Sequence, residues 1–471
     1  MSLDKTSHPG RPGTDELVPS RYHLLRPASV RPWCARRSRR EGARPLGRGR
    51  LTSGDTLSPG IPKLLFITAF IAGMALAANA SAADIKSVSS LAVGPGNVLF
   101  LADWKDAKVH ALTLPDAPAR PAGTAFNILD LEPLLSAQVG GAKVTVEDMV
   151  ARPGTAEVYI AVSYGRAKAP ALIRVTSDGH ASRLDLKQAK TTSVALRDAP
   201  SASGVIWRDL PERSFTVTDM KWRDGELFIA GLSNQDFSSS LRRVKYPFDA
   251  KQTMASIEIY HTGHNLVETR APIRAMSFAT LAGRPYLIAA YTCTPIVTIP
   301  LDDIQDGAHL RGKTIAELGY GNTPAVLIPY SKTEGGQSRD YLMLLNFERG
   351  ASAIPLSQVE AANAKPGIES VVQFGQVAGL EPTSAPLAGA IRIDNLDEQS
   401  FIVVRRRLEQ DRLQLVTIGK ELSFRLTDFL SEYAFPSYSF KGDEFQLKFI
   451  KPRQDLMLKQ EGFADHIKPN Q

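Results

Sequence analysis

The chain has 471 residues, 43% of them hydrophobic, and 56 Lys and Arg against 49 Asp and Glu, a formal charge of +7. That excess is confined to one end: residues 1–83 hold 13 of the basic side chains and 5 of the acidic ones, leaving 43 basic and 44 acidic from Asp84 onward. A near-neutral body lacks the basic face that nucleic acid requires, and no nucleic-acid partner is expected.

In chain order, residues 1–62 form a Pro-, Arg- and Gly-rich leader that includes Arg36-Arg37-Ser38-Arg39-Arg40 and has no apolar periodicity. Such a composition predicts a disordered extension, or a coding start placed too early, with the true one near Leu51 or Leu57. Residues 63–83 then read as a secretory signal. Lys63 precedes a run of about fifteen apolar residues, and Ala80-Ser81-Ala82 gives the small-residue pattern that signal peptidase cuts. The protein is therefore expected to be periplasmic or secreted. Left uncleaved, the same stretch of about 20 uncharged residues would be long enough to anchor the chain in a membrane.

The two cysteines fall on opposite sides of that signal. Cys34 lies in the leader, so Cys293 stands alone after processing and no intrachain disulfide is expected. The residues after the signal exceed one ordinary core, which predicts two domains or one repeat architecture.

Repetition is visible from Asp84. Ser90–Val93, Asn97–Asp103 and Lys108–Leu114 form one unit of short β-rich runs, and Glu147–Val150, Glu157–Ser163 and Ala171–Thr176 form the next. A third unit comprises Thr218–Lys221, Glu226–Leu232 and Ser240–Tyr246, and a fourth Arg274–Ser277, Pro285–Tyr291 and Pro295–Leu301. Pro324–Ile328, Tyr341–Asn346 and Ala351–Leu356 give a fifth, and Ala390–Ile393, Phe401–Arg405 and Leu413–Ile418 a looser sixth. The anchors Leu91, Met149, Met220, Met276 and Val326 are 58, 71, 56 and 50 residues apart. Three visible strands per unit, with room for an outer fourth, predict an all-β propeller of six or seven four-stranded antiparallel blades spanning residues 84–450. A pair of β-sandwiches would not produce this self-similar spacing. Leu129–Val139 and Leu356–Ala364 look amphipathic and are placed on the rim as helical insertions. A closing strand is expected near Glu444–Ile450, with residues 451–471 as a tail.

This rhythm, with runs such as Tyr291-Thr292-Cys293-Thr294-Pro295 and Gly307–Thr314 through Glu317-Leu318-Gly319, resembles secreted bacterial β-propellers of the NHL/YVTN kind. The resemblance implies the fold and carries no activity with it.

Several motifs bear on chemistry. Gly307-Ala-His-Leu-Arg-Gly312-Lys313-Thr314 fits a phosphate-loop pattern. Acidic residues precede it, and the short segment ending in Gly319-Tyr320-Gly321 cannot supply the helix, so a surface connection is expected and no nucleotide. His261 and His264, with Glu268 four residues on, are candidate ligands for a divalent metal. A polar inter-blade loop is the competing reading, and no other cofactor is expected.

Consecutive strands of a blade are antiparallel, so the innermost strand begins at the mouth where the second strand ends. Asp103, Asp148, Asp219, Arg274, Tyr291, Cys293 and Asn346, with Tyr164 and Asn234, are thereby placed around one mouth of the channel. For Asp148 and Asp219 two readings stand: contact with a ligand, or pinning of neighbouring backbone N–H groups. Cys293 reads as a small buried hydrophobe or as a reactive or metal-binding thiol.

Beyond residue 83 the chain has no Cys-x-x-Cys-His, no Gly-x-Ser-x-Gly and no Asp-x-Asp-x-Asp-Gly loop. The expectation is a monomeric exported module that binds a small molecule or a protein partner through one mouth. The alternative is a metal-dependent hydrolase of lactonase type, with Asp148, Asp219 and the His261/His264 loop around one ion.

Overall fold

The computed structural model describes residues 84–422, apart from 122, 207–208, 250, 320–321, 348–349, 374–375 and 408–410. The expected leader, signal, closing strand near Glu444–Ile450 and tail lie outside the described residues. What is described is almost entirely β, with two short helices.

β1 (Leu91–Val93), β2 (Val98–Asp103) and β3 (Lys108–Thr113) form an antiparallel ladder. The chain then leaves this sheet through β4 (Asn127–Ile128) and helix α1 (Leu131–Ala137). A complete four-stranded sheet follows: β5 (Val144–Ala151), β6 (Glu157–Tyr164), β7 (Ala169–Thr176) and β8 (Ala181–Arg183). Only then does β9 (Thr191–Ala195) return to pair with β3 as the fourth strand of the first sheet.

After a small hairpin of β10 (Val205–Ile206) and β11 (Leu210–Pro211) comes the largest sheet. β12 (Asp219–Arg223), β13 (Glu226–Leu232), β14 (Ser239–Lys245) and β15 (Gln252–His261) run antiparallel, and β16 (Leu266–Glu268) folds back on the end of β15. β17 (Ala275–Leu281), β18 (Arg284–Ala290), β19 (Pro295–Pro300) and β20 (His309–Glu317) repeat the same order. The outer strands β15 and β20 pair in parallel, from Ser256 beside His309 to Ile259 beside Gly312, so the two halves become one nine-stranded sheet.

β21 (Pro324–Glu334), β22 (Gln337–Asn346) and β23 (Ala351–Pro355) lead into helix α2 (Leu356–Asn363), after which β24 (Thr383–Ala385) completes the sheet. The last sheet has β25 (Ala390–Asn395), β26 (Ser400–Arg407) and β27 (Arg412–Gly419). Its fourth strand is the early β4, paired to β27 through Ile128 beside Leu415.

Local chemistry explains the hairpins. Asp224 (φ 50°) and Gly225 (φ 85°) join β12 to β13 with Arg223 opposite Glu226, the two-residue turn whose twist matches the strands and which needs two left-handed residues. Second strands carry continuous apolar runs such as Leu227–Leu232, buried because protein covers both faces of the sheet there.

The sheets pack face to face in a propeller-like arrangement, and each large hydrophobic cluster lies between two neighbours. Leu99, Leu101 and Leu112 of the first sheet pack with Tyr159 and Leu172 of the second. Phe100 and Ala102, on the other face, pack with Met220 and Ile229. Ile160 and Ile173 meet Ile402 and Leu415 of the last sheet, with Leu131 and Leu135 of α1 wedged alongside. Three further clusters join the halves of the nine-stranded sheet, its second half to β21–β22, and β21–β23 to β25–β26. The first strands lie side by side in the order β1, β12, β17, β21, β25, β5 and back to β1. A closed ring of this kind excludes the sandwich pair.

The order around the ring is not the order along the chain. The second sheet sits between the first and the last, reached by the excursion from β3 through β4 and closed by the return at β9. Handing β4 to β27 covers an edge that would otherwise present unpaired backbone groups.

Candidate functional site

The first strands enclose a central cavity of ≈ 380 Å³, lined by residues of β1, β5, β12, β17, β21 and β25. Its polar wall contains Glu147, Asp148, Asp219, Lys221, Arg392 and Asp394. Lys221 follows Asp219, and Asp394 follows Arg392, at a spacing of two, so the members of each pair leave their strand on the same side.

Three of the carboxylates do the same job. Asp148 accepts the N–H of Met149 (2.9 Å) with one oxygen and that of Leu91 on the adjacent β1 (2.8 Å) with the other. Asp219 accepts from Met220 (2.8 Å) and from Met276 on the adjacent β17 (2.7 Å). Asp394 accepts from Asn395 (2.8 Å) and from Ala151 on the adjacent β5 (2.9 Å). Each carboxylate thus holds its own strand to the next one around the ring.

Two cations answer this acidic wall. Lys221 Nζ donates to Asp219 Oδ1 at 3.0 Å. Arg392 Nε donates to the Glu147 carbonyl at 3.0 Å and lies 3.4 Å from Asp148 Oδ1. Water still reaches these groups: the Lys221 side chain is 28% exposed and that of Asp148 20%. Burial pushes the Asp148 carboxyl above the usual carboxylate range, against the pull of Arg392. Burial likewise raises Asp394, to about 6, although the N–H groups of Ala151 and Asn395 favour its charge. Burial would lower Lys221, but Asp219, helped by Asp148 and Asp394, carries it above the ordinary lysine value.

Of the residues placed at the mouth from sequence, Asp148 and Asp219 line this cavity; Asp103, Arg274, Tyr291, Cys293 and Asn346 are not among its lining residues. Asp103 is fully buried at the end of β2, where it accepts the backbone N–H of Lys86 (2.8 Å) and the Ser87 hydroxyl (2.5 Å), fastening the segment that leads into β1. Burial would raise its carboxyl, but His110, Ser87 and backbone N–H groups hold it below the usual range. The Arg274 guanidinium lies over the Phe215 ring at 5.8 Å. Tyr291 and Asn346 are buried, and burial raises the Tyr291 phenol. Tyr164 lies under the Arg183 guanidinium at 5.4 Å, and the Asn234 N–H donates to the Asp198 carbonyl at 2.8 Å.

Sequence reasoning missed Lys221, Arg392 and Asp394. The available signal was their alternation within first strands, obscured in the sixth unit because a register shift between Ala390 and Arg392 loosens its match to the others.

His261, His264, Glu268 and Cys293 meet away from the cavity. His261 ends β15, Glu268 ends β16, and Cys293 sits in the turn between β18 and β19. Glu268 spans the two imidazoles, with Oε2 2.8 Å from His261 Nδ1 and Oε1 2.5 Å from His264 Nδ1. The rings lie 4.0 Å apart between centroids. Metal-ligating atoms of His261, His264 and Cys293 all fall within 4.8 Å of one another. Burial would lower His261, but the Cys293 thiol and Glu268 raise it to about 9. Burial would raise Glu268, but the two histidines hold it below its ordinary value. Beneath the cluster, the buried Glu317 accepts from Thr262 Oγ1 (2.6 Å) and the Gly319 N–H (3.0 Å).

The phosphate-loop pattern forms strand. Gly312, Lys313 and Thr314 lie within β20, a Cβ at Gly312 would come 2.4 Å from Val297, and Lys313 Nζ donates to the Asn363 carbonyl at 2.7 Å. No helix begins there to receive a phosphate.

No protein-family model and no curated protein matches the chain. Among solved structures, it is similar to a chain of a mitotic checkpoint complex at 9% identity and TM-score 0.28, covering 79% of this chain and 99% of that one. It is also similar to a PQQ-bound aldose sugar dehydrogenase from Streptomyces coelicolor at 10% identity and TM-score 0.27, covering 72% and 95%. Drosophila semaphorin 1a, extracellular domains 1–2, gives 10% identity and TM-score 0.30, covering 71% and 86%. The propeller assignment rests on the sheets described above.

Proposed function

We propose that the chain is an exported six-bladed propeller that binds a small polar molecule in its central cavity. Six blades follow from taking the nine-stranded sheet as two, since β12–β15 and β17–β20 each repeat the antiparallel order of the free four-stranded sheets. Export follows from the signal at residues 63–83, and cell fractionation with N-terminal sequencing would test it: a mature chain beginning near Ala83 supports it, and an intact cytoplasmic chain refutes it.

One observation carries the binding reading. The cavity combines a volume of ≈ 380 Å³, ordinary for a small-ligand site, with Asp148, Asp219 and Asp394 facing Lys221 and Arg392. The Lys221 ammonium spends one donor on Asp219 and has two more to offer. Each carboxylate oxygen holds one backbone N–H; Asp219 Oδ1 also takes Lys221 and Asp148 Oδ1 faces Arg392, while Oδ2 of both and the two oxygens of Asp394 retain a second lone pair. A zwitterion fits this wall, its ammonium toward the acids and its anionic end on Lys221. Hydrolysis around one ion is less well supported, because the imidazoles of His261 and His264 do not line the cavity that holds Asp148 and Asp219.

The test is calorimetric titration of the purified protein with free amino acids and betaine. At least one should bind with a Kd below about 1 mM, and Lys221→Met should weaken it about tenfold or more. No binding across the panel, or equal binding by the variant, would refute the reading.

A further inference from the structure

We propose that His261, His264 and Cys293 form a three-ligand site for a zinc-class divalent ion, with Glu268 positioning the imidazoles from outside the coordination sphere. This goes beyond the cavity reading and does not depend on it.

Both Nδ1 atoms are committed to Glu268, one to each carboxylate oxygen. That leaves the Nε2 atoms as the ligating pair and fixes the tautomer they need, in the way metal-bound histidines commonly give their other nitrogen to a carboxylate. His261 is only 3% exposed, and its Nε2 makes no well-formed hydrogen bond, its contact with the Cys293 thiol being a weak one. A buried ring nitrogen with so weak a partner is costly unless something else binds there.

The Cys293 thiol is what lies against that ring. Its position is imposed by an unusual backbone. Cys293 (φ 66°) and Thr294 (φ 61°) are consecutive left-handed residues that are not glycine, a conformation that costs of order 1 kcal/mol or more each. The turn is held by the Cys293 N–H on the Asn322 carbonyl (2.7 Å), the Thr294 N–H on the Tyr291 carbonyl (2.9 Å) and Thr294 Oγ1 on the Gly319 carbonyl (2.6 Å). Two pieces of chain, the turn from β15 into β16 and the turn joining β18 to β19, therefore deliver two nitrogen donors and one sulfur donor to one spot.

Two imidazoles and a thiolate suit zinc, which takes N and S ligands at about 2.0–2.3 Å in tetrahedral geometry. Edges of such a site measure roughly 3.3–3.7 Å on those bond lengths, and the three residues already bring a donor atom each within 4.8 Å of one another, so a side-chain movement is enough to close on an ion. His264 can supply that movement, its side chain being 52% exposed. The same exposure gives the ion a path in and a fourth position toward solvent.

The experiment is zinc titration of chelator-treated, purified full chain against a chromophoric competitor, with cobalt(II) as a spectroscopic stand-in. One equivalent of zinc should bind tighter than about 1 µM, and cobalt should show a thiolate charge-transfer band. Cys293→Ser should abolish that band and weaken zinc at least 100-fold; His261→Ala should weaken it similarly. Glu268→Gln should weaken zinc by about 10–100-fold while keeping the band, as loss of an orienting carboxylate does. Metal-free circular dichroism and thermal unfolding check that each variant is folded, and the conservative Cys293→Ser stands alone if His261→Ala is not. Zinc binding weaker than about 10 µM, or unchanged in Cys293→Ser, would overturn the proposal.

Discussion

Replacing Asp219 with alanine tests whether the carboxylates of the first strands hold the ring together. The side chain accepts two backbone N–H groups, at 2.8 Å from Met220 and 2.7 Å from Met276, the second across a sheet boundary, and pairs with Lys221 at 3.0 Å. A hydrogen bond to a charged group contributes about 1.5–3 kcal/mol, and an amide left unsatisfied in a buried place costs about 1–3. The Asp219 side chain is 13% exposed to the cavity, so water entering the vacated space recovers part of that loss. Lys221 keeps the attraction of Asp148 and Asp394. The net expectation is a loss of about 2–4 kcal/mol, centred on the β12–β17 junction. The assay is urea unfolding followed by tryptophan fluorescence and circular dichroism. Asp303→Ala is the control, since Asp303 meets Arg284 at 2.8 Å with both side chains nearly half exposed, and such a pair contributes about 0–1 kcal/mol. If Asp219→Ala destabilises no more than Asp303→Ala, the clasp is ornamental and the reasoning fails.

Other predictions follow from single sites. Asp394, raised from 3.8 to about 6, binds its proton more tightly folded than unfolded, so its contribution is fullest below about pH 4 and is lost as pH rises through 6. Wild type should lose about 1–2 kcal/mol more than Asp394→Asn between pH 4 and 7.5, the full linkage being reduced by cavity water; equal slopes in urea titrations would refute this. Gly231→Ala should cost at least about 3 kcal/mol or prevent accumulation, because its Cβ would sit 2.1 Å from the Thr216 carbonyl oxygen; a normal unfolding midpoint would show that the β13 contact can yield. Arg242 is fully buried and donates to the carbonyls of Arg197 and Leu232 at 3.1 Å and to that of Asp198 at 3.4 Å. Arg242→Met should cost about 2–4 kcal/mol and expose residues 197–200 to limited proteolysis, whereas an unchanged digestion pattern would remove Arg242 as the tie holding that return segment.

Much of the fold was legible in the chain itself. Apolar runs such as Val158–Val162 and Leu227–Leu232 must be covered on both faces, and their recurrence with hairpin signals such as Asp224-Gly225 specifies stacked antiparallel sheets. These are local properties, fixed by side-chain alternation and turn chemistry over a few residues.

Partnership between distant segments was not legible. Nothing in Asn127–Ile128 announces that it pairs with Leu415–Val416, or in Thr191–Ala195 that it returns to β3, because edge pairing uses backbone groups common to every residue. The same holds for the sites. Sequence grouped Glu268 with His261 and His264 as metal ligands and set Cys293 at the channel mouth; the fold puts Glu268 behind both rings and brings the thiol to them. Which face of Asp148 meets Leu91, and whether Asp394 reaches Ala151, likewise depend on how one blade lies against the next. Composition and strand rhythm are written along the chain, but contacts between blades depend on packing of whole surfaces, and only the closed ring decides them.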